Sequence, residues 1–206
     1  MPSYELLYFP ARGRAEQIRV LFALHGVAFT DTPVTNWAEL KPDLQFGRLP
    51  VLIERDDDGG EFVLPESGAI MRHLARAFGA YGEDARSWAR ADALADFVTD
   101  ERNKLVKVIY AAMVGTTEDE IAKFWQQLPA ALGCLERSVS KSSDSAAGWF
   151  IGARPTFADV VAFDFLDALE VLDAKALADY PGLKGFVARV RALPALGKFL
   201  AERDRH

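Results

Sequence analysis

Residues 4–9 form a short apolar run of strand length. Pro10-Ala11-Arg12-Gly13 interrupts it. Residues 15–24 then place Ile18, Leu21 and Phe22 on one helical stripe, with Ile18 and Phe22 spaced i,i+4. Gly26 stops that helix. Residues 27–34 read as a second strand, residues 37–46 as irregular to weakly helical, and residues 50–55 and 61–64 as two further strands. Between the last two, Asp56-Asp57-Asp58-Gly59-Gly60 marks a hairpin turn, because glycine supplies positive φ without steric cost. A helix over residues 66–78 ends at Gly79. The order βαβ, short helix, ββα predicts a compact α/β unit built on one sheet.

Past Gly82 the strand signal stops. Residues 85–114, 118–141, 157–172 and 183–203 all predict helices, and residues 138–148 a polar, Ser-rich loop. The change places a boundary near residues 79–83, with one domain over residues 1–80 and an all-helical one over residues 84–206. Thr156-x-x-Asp159 precedes an apolar run as an N-cap with an acidic partner three residues on. Asp164, inside Phe163-Asp164-Phe165, is expected to bond backbone near that cap. Both are read as folding elements.

Composition narrows the function classes. The 206 residues are 50% apolar, so the chain can bury a core in one large domain or two small ones. A net charge of −6 argues against a general nucleic-acid or anionic-membrane surface. No apolar run is long enough to span a bilayer, and the first residues lack the basic and apolar regions of a signal peptide. Cys134 is the only cysteine, which rules out an intrachain disulfide, a CxxC redox centre or a cysteine-based metal site. His25, His73 and His206 are too widely spaced for a metal-ligand motif. A cytoplasmic, metal-free protein is the expectation.

Four motifs then follow one another along the chain. They are Tyr8-Phe-Pro-Ala-Arg-Gly-Arg-Ala-Glu; Trp37-Ala-Glu-Leu-Lys41 with Phe46-Gly-Arg-Leu-Pro50; Glu66-Ser67-Gly-Ala-Ile-Met-Arg-His-Leu; and Gly152-Ala-Arg-Pro-Thr156-Phe-Ala-Asp159. In this order the chain resembles the cytosolic glutathione transferases of the tyrosine type, sigma-like and close also to the pi class. The resemblance implies a thioredoxin-like βαβαββα N-terminal domain followed by an all-α C-terminal domain. It implies glutathione as co-substrate, no covalently bound cofactor, an apolar electrophile as second substrate and a homodimer. The activity it implies is detoxification-type conjugation of glutathione through its thiolate.

Glutathione carries a thiol with an unperturbed pKa near 8.5, so only a few per cent is thiolate at neutral pH. A hydroxyl that donates to sulfur favours the charged form. The resemblance assigns that hydroxyl to Tyr8, with Arg14 supporting it electrostatically, and leaves Arg12 solvated. It assigns Trp37, Lys41 and Arg48 to the glycine carboxylate, a group suited to an indole N–H and cations. It implies a cis Leu49-Pro50 peptide that lets the Leu49 backbone pair with the peptide part of glutathione. Glu66 and Ser67 open a helix whose free N–H groups attract an anion. Ser67 takes the γ-glutamyl carboxylate and Glu66 the ammonium, although related sequences usually carry Gln at position 66. Asp100 is implied to reach the ammonium bound by the other subunit. Phe46 is implied as an aromatic key inserted into the partner, and Arg72 and Asp92 as halves of an intersubunit charge contact. Phe9, Val106, Tyr110 and Met113 fit an acceptor pocket and ordinary core packing equally well.

Two other enzyme types share this architecture. Thiol–disulfide and dehydroascorbate-type enzymes use a cysteine near the first helix, and residues 1–133 contain none. A prostaglandin isomerase would be expected to carry a tryptophan between Asp100 and Ala112, and none stands there. A non-catalytic binding or structural protein of the same fold, or a glutathione-dependent isomerase or peroxidase, stays open as an alternative.

Overall fold

The computed structural model describes residues 2–141 and 148–203. Most of the predicted Ser-rich loop, residues 142–147, and the terminal residues 204–206 lie outside the described residues. The chain divides into two compact units, Met1–Gly79 together with Leu193–His206, and Ala80–Ala192.

The first unit runs β1 (Ser3–Tyr8), α1 (Glu16–His25), β2 (Thr30–Pro33), α2 (Trp37–Leu40), β3 (Val51–Arg55), β4 (Glu61–Pro65) and α3 (Ser67–Ala77), the expected βαβαββα order. Single 3-10 turns precede α1 at Gly13–Ala15 and follow α2 at Lys41–Asp43. The strands lie in the order β2-β1-β3-β4. β1 pairs parallel to β2 and antiparallel to β3, and β3 antiparallel to β4. Alternation along β1 buries Tyr4, Leu6 and Tyr8 on one face. Ile18, Leu21 and Phe22 of α1 and Ile70, Met71 and Leu74 of α3 are likewise fully buried. Each such side chain contributes about 1.5–3 kcal/mol. The tight link between β3 and β4 closes where Asp56 N–H donates to Gly60 O over 2.9 Å, with Gly59 at φ 88°. Because β1 is an interior strand, its C-terminal end is held on both sides. Tyr8 stands opposite Pro33, and its carbonyl accepts the Val34 N–H at 2.7 Å.

The second unit holds α4 (Ala85–Ile109), α5 (Ala111–Val114), α6 (Glu118–Ser140), α7 (Phe157–Leu172) and α8 (Pro181–Arg191). Residues 157–167 of α7 are buried all round. Its three buried carboxylates are each paired, as buried charges must be. Asp159 accepts the Thr156 N–H and hydroxyl, both at 2.8 Å, and the Phe150 N–H at 2.8 Å, which makes it the acidic partner of the Thr156 N-cap expected from sequence. Burial nevertheless pushes its carboxyl up to about 6 against these hydrogen bonds. Asp167 takes Arg191 at 2.7 Å. Asp164 does not bond backbone near the cap as expected; it pairs with the buried Arg102 guanidinium of α4. A sequence motif cannot reveal that partner, because it lies 62 residues away.

Two predicted helices are each split. Residues 85–114 break at Tyr110, whose ψ of 26° leaves the helical track; the Thr116 hydroxyl then takes up the Lys107 carbonyl at 2.9 Å. Residues 183–203 break before Pro194, whose missing N–H and ring prevent continuation from α8. The resulting α9 (Pro194–Arg203) packs against α1 in the first unit, with Arg203 reaching Glu16 at 3.5 Å. The sequence division groups this helix with residues 84–206, whereas its contacts group it with the sheet unit.

Candidate glutathione site

An arc of contacts on the first unit links most of the residues singled out there. Tyr8 and Phe9 meet edge to face with ring centres 5.5 Å apart, and Phe9 meets Trp37 the same way at 5.4 Å. The Lys41 ammonium lies 6.0 Å from the Trp37 ring. Gly47 sits against Lys41, since a Cβ there would lie 3.5 Å from its Cγ. Beside Gly47, Arg48 reaches Glu66 at 3.6 Å, and Ser67 follows. Lys41, Arg48 and Glu66 are exposed, and Trp37, Leu49 and Ser67 half-buried.

Local backbone shapes this arc. The Leu49-Pro50 peptide is cis, and Pro50 is buried. Glu66 has φ 72° and ψ 114°, making it the one described non-glycine residue at positive φ. It occupies the N-cap position of α3 without a side-chain capping bond. Ser67 is the first helical residue rather than the cap. The first N–H groups of an eleven-residue helix therefore face outward beside Ser67, a favourable seat for a carboxylate. The two charges at positions 48 and 66 partner one another, which offsets the extra negative charge of Glu at position 66.

Tyr8 is the most constrained member. It is 8% exposed, and its hydroxyl accepts the Arg14 backbone N–H at 2.9 Å. The contribution of Arg14 seen here comes from its amide. Gly13, at φ 42°, makes this approach possible: a Cβ there would stand 2.4 Å from the Tyr8 hydroxyl. Arg12 is not simply solvated; its Nε lies 3.8 Å from the buried carboxylate of Glu16. In the sequence Gly13 reads only as a strand breaker, and Arg19 carries no local signal. Gly13 was legible as a glycine between two arginines, but the need for it appears only when Tyr8 folds over it.

On the second unit, Asp100 is exposed on α4. Val106 and Tyr110 are half-buried one turn apart, and Met113 of α5 is 82% exposed. Asp92 accepts the Tyr81 hydroxyl at 2.8 Å. In the first unit Arg72 donates to Gly68 O at 3.4 Å, and Phe46 is 56% exposed. Among the described residues no group of acidic, histidine or cysteine side chains is placed to hold a metal ion, and no helix is long and apolar enough to cross a membrane.

A family model for the glutathione S-transferase N-terminal domain matches residues 4–76, and one for the C-terminal domain matches residues 99–203. The chain is 35% identical over 204 residues to a glutathione S-transferase of Dirofilaria immitis, covering 98% of this chain and 94% of that protein. The chain belongs to the glutathione S-transferase family. Its fold matches the pi-class glutathione S-transferase of Onchocerca volvulus with a TM-score of 0.85 and 31% identity, over 98% and 94% of the two chains. It matches the sigma-class glutathione S-transferase of Fasciola hepatica with a TM-score of 0.83 and 30% identity, over 98% and 97%. The chain is thus pi- and sigma-like, and the enzymes of its family use glutathione as co-substrate.

Proposed function

We propose that this glutathione S-transferase joins the sulfur of glutathione to apolar electrophiles, with Tyr8 as the group that raises the thiolate fraction. The observation that carries this reading is the hydrogen bond from the Arg14 N–H to the Tyr8 hydroxyl. With that lone pair occupied, the hydroxyl keeps its own proton to donate to a bound sulfur. The thiol gives up its proton to solvent, the sulfur lone pair forms the new C–S bond, and the electrophile expels its leaving group or takes up a proton. Lowering the thiol pKa by two units requires about 2.7 kcal/mol of preferential thiolate binding, within reach of one charge-assisted hydrogen bond and nearby cationic charge such as Arg14.

The remaining groups hold the tripeptide. Trp37, Lys41 and Arg48 receive the glycine carboxylate, and the Leu49 backbone before Pro50 pairs with the central peptide. Ser67 and the α3 amides receive the γ-glutamyl carboxylate. Glu66 faces the ammonium, joined by the partner subunit's Asp100. Residues 1–80 act as the glutathione-binding domain, and residues 84–206 supply Val106, Tyr110 and Met113 for the electrophile. A cytoplasmic setting fits a reaction that consumes reduced thiol.

The homodimer belongs to the same proposal. Exposed Phe46 supplies an aromatic key. In the second unit, α4 and α6 border a cavity of about 520 Å³ lined in part by Ala93, Leu94, Phe97, Cys134 and Leu135. That is ample for an aromatic ring, since a cavity of about 150 Å³ already holds benzene. Arg72 and Asp92 supply charge at the same interface. Dimerisation is not universal in this fold: a Necator americanus glutathione S-transferase, 28% identical with a TM-score of 0.85 over 98% and 97% of the two chains, is monomeric.

The test combines titration calorimetry with a thioether-forming assay on the wild type and Tyr8→Phe. One glutathione site per subunit is expected in both. Turnover should fall about ten- to a thousandfold in the variant, and the bound thiol pKa should rise toward about 8.5. No heat at millimolar glutathione rejects the binding site; an unchanged thiol titration rejects Tyr8.

A further inference from the structure

The bond between the Arg14 N–H and the Tyr8 hydroxyl depends on a segment, residues 9–12, that is neither strand nor helix. The Arg19 side chain holds it from outside. Arg19, on α1 and only 12% exposed, donates from Nη1 to the carbonyls of Ala11 at 3.0 Å and Arg12 at 3.3 Å. The guanidinium is itself fixed: Nε and Nη2 take the two oxygens of Asp31 on β2 at 2.7 and 3.3 Å, and Nη1 lies 3.4 Å from the buried Glu16. Its carbon stands 5.9 Å from the centre of the Tyr8 ring.

We propose that Arg19 is a positioning residue that aims the Arg14 amide at Tyr8, so that thiolate formation depends on Arg19 without contact between Arg19 and glutathione. Anchoring the Ala11 and Arg12 carbonyls fixes the peptide planes on both sides of Arg12. Gly13 at φ 42° then turns the chain, and the next free donor, the Arg14 N–H, meets the hydroxyl. The planar fork of arginine suits the task, because it spans two carbonyls and a carboxylate at once; a lysine ammonium is a point donor and cannot. Asp31 fixes Arg19 from β2, the strand paired with β1, so the frame that carries Tyr8 also carries its aligning group.

The inference rests on Tyr8 as the activator, and the experiment separates the two. Arg19→Ala, Arg19→Lys, Tyr8→Phe and the Tyr8→Phe/Arg19→Ala double variant are titrated by the ultraviolet thiolate absorbance of bound glutathione, with glutathione affinity measured by calorimetry and folding by thermal melting. Arg19→Ala should leave glutathione affinity within about threefold and raise the bound thiol pKa by about one unit, a tenfold loss of thiolate below the midpoint. Arg19→Lys should shift the midpoint the same way by less. In the Tyr8→Phe background the shift should vanish, because there is no hydroxyl left to align. A folded Arg19 variant with the wild-type midpoint, or a shift that persists in the Tyr8→Phe background, overturns the proposal alone. If Arg19→Ala does not fold, Arg19→Lys decides by the same criterion. A wild-type midpoint in Tyr8→Phe itself removes the Tyr8 reading, and this proposal with it.

Discussion

The Tyr8 hydroxyl sits where a single methyl group on Gly13 would come within 2.4 Å of it. Tyr8 and the glycine that admits it are five residues apart in sequence, on either side of the turn that leaves β1. Backbone and side chain therefore constrain each other: φ 42° at Gly13 sends the Arg14 N–H toward the hydroxyl, and the ring occupies the space a Cβ would take.

Gly13→Ala should therefore act as a catalytic lesion outside the glutathione-binding residues. The alanine strains the backbone and displaces the Tyr8 ring. Turnover should fall about ten- to a hundredfold, in the range for losing one positioned donor, while glutathione affinity by calorimetry changes little. Wild-type turnover in a folded Gly13→Ala protein would show that the Tyr8 position tolerates displacement.

Phe46→Ser should weaken the homodimer. Burying a Phe side chain is worth about 1.5–3 kcal/mol, and a two-fold dimer loses two such keys, so the dissociation constant should rise roughly a hundred- to ten-thousandfold. Sedimentation equilibrium over a dilution series measures it. An unchanged dimer would remove Phe46 as the key, and a monomeric wild type would remove the interface.

The Arg102–Asp164 pair is buried on both sides. Asp164→Ala removes a buried carboxylate that faces the Arg102 guanidinium and should cost about 3–5 kcal/mol in urea unfolding. Arg102→Met combined with Asp164→Leu should recover most of that loss, because burying an ion pair and burying apolar side chains of similar volume are nearly equivalent. If the single and double variants unfold alike, the damage comes from packing and not from the lost carboxylate–guanidinium pairing.

Asp159 makes stability depend on pH in the direction opposite to a salt-bridged carboxylate. Its folded carboxyl is pushed up to about 6 from an ordinary 3.8. Between those values the folded state keeps a proton that the unfolded chain has released. This group's contribution is therefore fully present below the lower value and declines as pH rises through the window, by at most about 3 kcal/mol. Urea unfolding of wild type and Asp159→Asn from pH 3.5 to 7 isolates it: the stability gap between the two proteins should change across the window and be flat above it. A gap constant with pH would place the Asp159 pKa near its ordinary value.

Much of this protein was legible in one dimension because the decisive signals are local. Alternation in β1, the Asp56–Gly60 turn, the stripe of α1 and the Thr156–Asp159 cap each depend on residues within a few positions, and periodicity reports such relations directly. The collinear motifs around Tyr8, Trp37, Glu66 and Asp159 carried the family for the same reason. The end of α8 was readable too, from Pro194, and was missed because the apolar periodicity runs on through it. What only the tertiary structure decided are relations between distant segments. The pairing of Asp164 with Arg102 spans 62 residues, that of Arg203 with Glu16 spans 187, and the hold of Arg19 on Asp31 joins a helix to a strand. No local pattern encodes these, because a charged residue on a helix looks the same in sequence whether it faces water or a buried carboxylate. The same holds at Tyr8. The sequence by itself placed a hydroxyl at the end of a strand, but its direction depends on a backbone amide, a glycine without a Cβ and a guanidinium that converge only once the chain has folded.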